Sequence, residues 1–324
     1  MNKNNNGYGE LRTVRRQSRG LYWFTGIFSF FVNLLMLTGP LYMMQVYDRV
    51  LGSRSIATLV ALSLLVVFLY GMMGFLDYAR GRIMARVGAR FQAALDKRVF
   101  DAMLRRSAVA QDPVAQTGLA DLESVQRLIT SPVLTAGFDL PWTPVFLAGI
   151  ALFHPWLGLL ALVGGAVLIA IAVLNQLFTR LPMQKANMSG HRANLMSEEI
   201  RNEAEMIQSM GMRGASFDRW NHTRNAALTD SIAANDTGGG FTTLTKTLRL
   251  FLQSAMLGLG AYLVLQNQVT PGAMIAGSIL MGRALAPIEL ALGQWALVQR
   301  ATKGWHNLAE LLDKVPQEAE RMAL

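Results

Sequence analysis

IATLVALSLLVVFLYGMMGFL, residues 56–76, runs directly into DYARGRIMARVGARFQAALDKRVFDAMLRR, residues 77–106. The first stretch carries no charge and is long enough to cross a hydrocarbon core, which takes about 20 apolar residues. In the second, Ile83, Val87, Phe91, Leu95, Val99 and Met103 recur every four residues on one helical face. Arg80, Arg82, Arg86, Arg90, Lys97 and Arg98 cover the other faces, and no breaker follows until Gln111-Asp112-Pro113. A helix from Asp77 to Arg106 extends about 45 Å at 1.5 Å per residue. We read it as a rod projecting from the membrane; the competing reading is an amphipathic helix lying on the headgroups.

Working outward, five more runs match the same template: Leu21–Met44, Val133–Phe153, Leu157–Leu177, Leu248–Leu265 and Ala273–Leu292. The first has no small-residue cleavage site after it and reads as a retained span. The connections alternate. Gln45–Ser55, His154–Trp156 and Gln266–Gly272 are short, whereas Asp77–Pro132 and Phe178–Thr247 are long. The second long segment is expected to break at Leu181-Pro182 and again at Gly211-Met212-Arg213-Gly214. It is expected to return as a helix from Ala215 to Asp236 and to reach the fifth span through Gly238-Gly239-Gly240, a flexible joint or a close-packing point. The fold class is therefore an all-α membrane protein: six transmembrane helices and two long helical hairpins with tips at Gln111–Ala120 and Gly211–Asp218. Residues 1–20 read as a polar tail, 21–315 as the membrane domain and 316–324 as the start of a linker.

Composition agrees with the spans. Of 324 residues, 52% are hydrophobic and 16% charged, with a mean hydropathy of +0.29. The net charge of +9 follows topology: Lys3, Arg12, Arg15, Arg16 and Arg19 lie in the tail, and most other cations in the long segments. The positive-inside rule places the tail, both hairpins and the C-terminus in the cytoplasm, so the basic balance needs no nucleic acid to explain it. Cysteine is absent, which excludes disulfides, thiolate metal sites and a Cys nucleophile. The four histidines (154, 191, 222 and 306) are too scattered for a metal cage.

Three local stretches narrow the reading. They are Pro40-Leu41-Tyr42-Met43-Met44-Gln45-Val46-Tyr47-Asp48-Arg49-Val50-Leu51, Phe138-Asp139-Leu140-Pro141-Trp142-Thr143-Pro144 and Met281-Gly282-Arg283-Ala284-Leu285-Ala286-Pro287. With the spans and hairpins, they resemble the transmembrane domain of type I secretion ABC exporters, most of all the protease-secretion (PrtD-type) branch. The resemblance implies a homodimer in a Gram-negative inner membrane, with a periplasmic adaptor and an outer-membrane channel of TolC type. It also implies a secreted polypeptide substrate with an uncleaved C-terminal signal. ATP and Mg are implied for the full-length transporter. The chain contains no GxxxxGK[ST] loop, so its own residues are expected to carry neither ATPase site nor cofactor, and the nucleotide-binding domain is expected after Leu312–Pro316.

Arg283 lies about mid-bilayer by residue count. A lipid-facing Arg there costs at least about 2.5–3.5 kcal/mol, so it is expected in a translocation path or gate, or in a structural pair with Asp139 or Glu289. Asp139 with Pro141 and Pro144 reads either as a loosened gate or as a carboxylate stabilised at a helix start. Tyr47 reads as interfacial belt; Asp48 and Arg49 are candidates for an adaptor contact. Gly211, Arg213, Phe217 and Trp220, with Asp112, Pro113 and Gln116 on the other tip, are candidates for coupling to the nucleotide-binding domain; packing between the hairpins is the alternative for the aromatic pair. Other function classes are a lipid or small-amphiphile exporter of the same fold and a six-helix scaffold or channel without ATP. No metal spacing, nucleophile elbow or paired catalytic carboxylates point to a membrane enzyme.

Overall fold

The computed structural model describes residues 6–109 and 113–315, and no strand occurs among them. Helices α1 (Asn6–Gln17) and α2 (Arg19–Leu35) lead into α3 (Thr38–Gln45), a π-helical turn at Val46–Val50 and a last turn, α4 (Leu51–Ser53). Then come α5 (Ile56–Val109), α6 (Pro113–Thr130), α7 (Pro132–Asp139), a 3₁₀ turn at Leu140–Trp142 and α8 (Thr143–Phe153). The rest is α9 (Pro155–Asn202), α10 (Ala204–Ser209), α11 (Arg213–Leu265), α12 (Pro271–Gly293) and α13 (Trp295–Lys314). Six stretches are long and apolar enough to span a membrane: Arg19–Ser53, Ile56–Ala108, Pro132–Phe153, Pro155–Asn202, Arg213–Leu265 and Pro271–Gly293.

The chain forms two compact units, residues 1–162 with 253–324 and residues 163–252. In the first, α5 runs unbroken from the apolar stretch into the basic one. Its face Val87, Phe91, Leu95 and Val99 is buried, with Met84 and Ala102, against α1, α6 and α13. Burial contributes about 1.5–3 kcal/mol for each large apolar side chain. Two residues of α6 and α13 approach closely: a Cβ on Gly304 would lie 2.9 Å from the Asp121 carbonyl oxygen.

The polar tail is a correction. Asn6–Gln17 is a helix whose Leu11 is wholly buried in this core, with Tyr8 and Val14 packed against it. The repeat is too short and the segment too polar for periodicity to register. Residues 1–5 and 316–324 lie outside the described residues.

In the second unit, α9 continues through Pro182 and α11 continues through Gly238, Gly239 and Gly240, so the break expected at Leu181-Pro182 does not form and the glycines are not a joint. A proline removes one helical donor, and each glycine costs about 1 kcal/mol of helix propensity. Packing between the two helices offsets both. Phe178 stacks on Phe241 at 6.2 Å, Lys185 pairs with Asp230 at 2.9 Å, and Ser189 donates to the same carboxylate. The Cβ position of Gly238 sits 3.6 Å from Thr179 Cγ2, an ordinary contact.

Candidate translocation and coupling sites

Asp139 ends α7 where the third span changes to a 3₁₀ turn. Pro141 and Pro144 supply no N–H to the Gly137 and Leu140 carbonyls four residues back, and the Leu140 carbonyl accepts instead from Thr143 N–H in the 3₁₀ turn. The Asp139 carboxylate is held from two other spans. Arg80 Nη1 of α5 donates to Oδ1 at 2.9 Å and Oδ2 at 3.2 Å. Asn33 Nδ2 of α2 donates to Oδ1 at 2.6 Å.

Arg80 is only 8% exposed. Its Nη1 also donates to Ser29 Oγ at 2.9 Å, and its Nε to Asp77 Oδ1 at 2.7 Å. Asn33 donates in turn to the Ser29 carbonyl at 2.8 Å. One guanidinium thus joins three spans at the foot of the span-3 break. Beside it opens a cavity of about 260 Å³ lined by Asp77, Arg80, Thr130, Thr135, Asp139 and Leu290.

Sequence reasoning placed Arg80 on a face of the rod other than the apolar one and missed this cluster. A usable signal was present: Thr25, Ser29 and Asn33 repeat every four residues inside an apolar run, and all three are buried. Polar groups spaced so within a span face protein rather than lipid.

Since Arg80 and Asn33 occupy Asp139, the Arg283–Asp139 pair considered from the sequence does not form. Arg283 is exposed on α12 and makes no hydrogen bond or ion pair among the described residues. The two motifs still meet one residue away, where Thr143 Oγ1 donates to the Ala284 carbonyl at 3.1 Å. Pro287, inside α12, withdraws the donor for the Arg283 carbonyl. Glu289 is half-buried further along the same helix. Trp142 packs edge-on to Phe30 of α2 at 5.2 Å.

At the short-loop end, Asp48 sits in the π-helical turn and caps α12. Gly272 N–H donates to its Oδ1 at 2.9 Å and Thr270 Oγ1 to its Oδ2 at 2.7 Å. Thr270 in turn accepts from Ala273 N–H at 3.2 Å. Position 272 has no room for a Cβ, which would lie 2.6 Å from Asp48 Oδ2. A carboxylate at this helix N-terminus also meets the positive end of the helix dipole. Asp48→Ala is expected to lower stability by about 1–3 kcal/mol through the two orphaned donors, seen as a reduced melting temperature in lipid nanodiscs. Gly272→Ala should act in the same direction. Tyr47 and Arg49 are exposed.

The tip residues divide as follows. Asp112 lies outside the described residues; Pro113 opens α6 and Gln116 is exposed on it. On the other tip, α10 closes with Gly211 at φ +68°. Gly211 N–H donates to the Gln208 carbonyl at 3.3 Å and Met212 N–H to that of Ile207 at 3.0 Å. This is the paired bonding of a Schellman cap, and it needs the left-handed residue that glycine supplies without strain. Arg213 begins α11 and is exposed. Phe217 is 56% exposed and its ring lies 6.0 Å from that of Trp220, which is half-buried. Met206, Met210 and Met212, close by in sequence, are exposed too.

The pattern of the ABC transporter transmembrane region matches residues 22–286. The chain is 36% identical over 303 residues to the type I secretion system ATP-binding protein PrsD of Rhizobium meliloti (strain 1021), covering 93% of this chain and 52% of that protein. It is 24% identical over 312 residues to the leukotoxin translocation ATP-binding protein LktB of Mannheimia haemolytica, covering 93% of this chain and 43% of that protein. LktB of Bibersteinia trehalosi matches to the same extent. The chain therefore spans about half the length of these relatives. With six apolar helices arranged as described and the family pattern covering most of its residues, this chain belongs to the ABC transporter transmembrane family, in the company of type I secretion proteins.

Proposed function

We propose that this chain is the membrane-embedded part of an ATP-driven type I exporter. It would move unfolded polypeptide bearing a C-terminal signal across a Gram-negative inner membrane, as a homodimer working with a periplasmic adaptor and an outer-membrane channel of TolC type. One observation carries the reading: 93% of the chain is similar to proteins named for type I secretion or leukotoxin translocation. The nucleotide is assigned to a following ATP-binding domain, because no stretch of these residues reads GxxxxGK[ST].

On this reading the hairpin tips, Asp112, Pro113 and Gln116 on one and Gly211, Arg213, Phe217 and Trp220 on the other, receive the movement of that domain. The rod α5 passes it to the Arg80 cluster, and the cluster passes it to the proline-weakened break at Asp139, Pro141 and Pro144. Arg283 and Glu289 lie on the neighbouring helix, where a polar path or gate would form. A bistable bundle biased from the tips is the physical requirement for such coupling.

The test is transport into inverted vesicles containing the full-length protein, its adaptor and its channel. ATP-dependent movement of a polypeptide with the C-terminal signal is expected, and movement of a labelled phospholipid alone would favour the lipid-exporter reading. In the same assay Arg283→Ala is expected to lower export about tenfold or more, through loss of a charged hydrogen bond from its exposed guanidinium to the moving polypeptide, a contact that contributes about 1.5–3 kcal/mol. Unchanged export by that variant removes Arg283 from the path.

A further inference from the structure

At one guanidinium, Arg98 of α5 meets both the N-terminal helix and the end of the last one. Arg98 Nε donates to Glu10 Oε1 of α1 at 3.0 Å. Its Nη2 donates to the Val315 carbonyl at 2.6 Å and, more weakly, to that of Leu312 at 3.5 Å. The side chains of Arg98 and Glu10 are 14% and 24% exposed, so solvent screens the pair less than a surface pair. A planar fork with donors on two edges can serve a carboxylate and a helix C-terminus at once, and its charge complements the negative end of that helix.

The rest of α1 is seated on the same two partners. Leu11 is fully buried in the shared core. Gly7 lies so close to the Ala309 carbonyl that no Cβ fits. The Tyr8 hydroxyl is hydrogen-bonded to His306 Nδ1, and Arg15 lies over the Trp305 ring at 5.8 Å. α13 is in turn fixed to α6, where Asn307 Nδ2 donates to Asp121 Oδ2 at 2.8 Å. α6 begins at Pro113, beside the first tip.

We propose that α1 is a clasp and Arg98 its positioning residue: together they hold the last turn of α13 and set the direction in which the chain leaves Val315. The functional half of this proposal rests on the exporter reading, in which the ATP-binding domain follows; the clasp itself does not. Through α6 and α13, the first tip and the exit toward that domain move as one body, and α1 keeps the exit in register.

The experiment uses the full-length protein in lipid nanodiscs and compares Arg98→Met, Arg98→Lys and Glu10→Gln with the unaltered chain. Amide hydrogen exchange at residues 308–315 is expected to rise about tenfold or more in R98M, from the loss of the charged hydrogen bonds to Val315 and Glu10. Exchange in α6 should stay unchanged. R98K should restore part of the protection, because an ammonium reaches one partner but lacks the fork. Polypeptide exported per ATP hydrolysed should fall severalfold in R98M and E10Q. Unaltered exchange at 308–315 in R98M overturns the clasp. Raised exchange with unchanged export per ATP overturns the positioning role. If R98M loosens α6 equally, E10Q decides, since it keeps the bond to Val315: reduced export per ATP with α6 protected supports the proposal, and no reduction overturns it. If the unaltered protein moves no polypeptide, the exporter reading fails while the exchange result still decides the clasp.

Discussion

Arg80→Met is expected to destabilise the protein by about 3–5 kcal/mol, because it leaves the Asp139 carboxylate buried without its counter-charge. The pair is enclosed, with side-chain exposures of 9% and 12%, and the same guanidinium also holds Ser29 and Asp77. Loss of one side chain therefore releases α5 from α2 and α7, which keep only the Asn33–Asp139 bond between them. Thermal unfolding of the protein in nanodiscs measures the effect, and a change below about 1 kcal/mol would show that the cluster does not hold the spans. Arg80→Met combined with Asp139→Leu separates stability from coupling. Replacing both charges by apolar groups of similar size removes the unpaired carboxylate, so much of the stability should return. Export should not, if the polar link between the rod and the span-3 break transmits movement.

The second large effect is expected at the other tip. Phe217→Ala with Trp220→Ala should reduce export at least tenfold in the full-length protein while basal ATP hydrolysis stays within about twofold. Buried aromatic anchors at docking surfaces commonly contribute about 2 kcal/mol or more each, and a covalent tether between domains softens that loss through effective concentration. The two rings are adjacent and Phe217 is more than half exposed, which leaves an apolar knob rather than a packed core. Measuring export and hydrolysis in the same vesicles distinguishes uncoupling from unfolding. An unchanged ratio of export to hydrolysis would return the two rings to simple packing.

The readings that succeeded and those that did not differ in kind. The buried face of α5 was readable because Val87, Phe91, Leu95 and Val99 repeat every four residues along one rod, and the structure buries all four. The interruption expected at Pro182 does not occur, and of the two readings of Gly238-Gly239-Gly240 the flexible joint does not form, because local propensity was outweighed by packing between α9 and α11. The N-terminal helix escaped notice for a related reason. Its stripe of Gly7, Leu11 and Val14 means little without the α13 surface that receives it. The Gly211 turn was readable, since a glycine cluster between two helical patterns is a local signal, and its left-handed φ of +68° is the reason it is there.

The sequence alone determined the six apolar helices, the rod that continues from the second, the Gly211 turn and the family. These rest on hydropathy and period, which any window of neighbouring residues expresses. Only the tertiary structure decided which charges meet. Arg80 finds Asp139 across 59 positions, Asp48 finds Gly272 across 224, and Arg98 joins Glu10 to Val315 across 88 and 217. A buried charge in a mostly apolar bundle must be paired or pushed toward water. The sequence states that requirement for each charge, but the partner is chosen by how the helices stack.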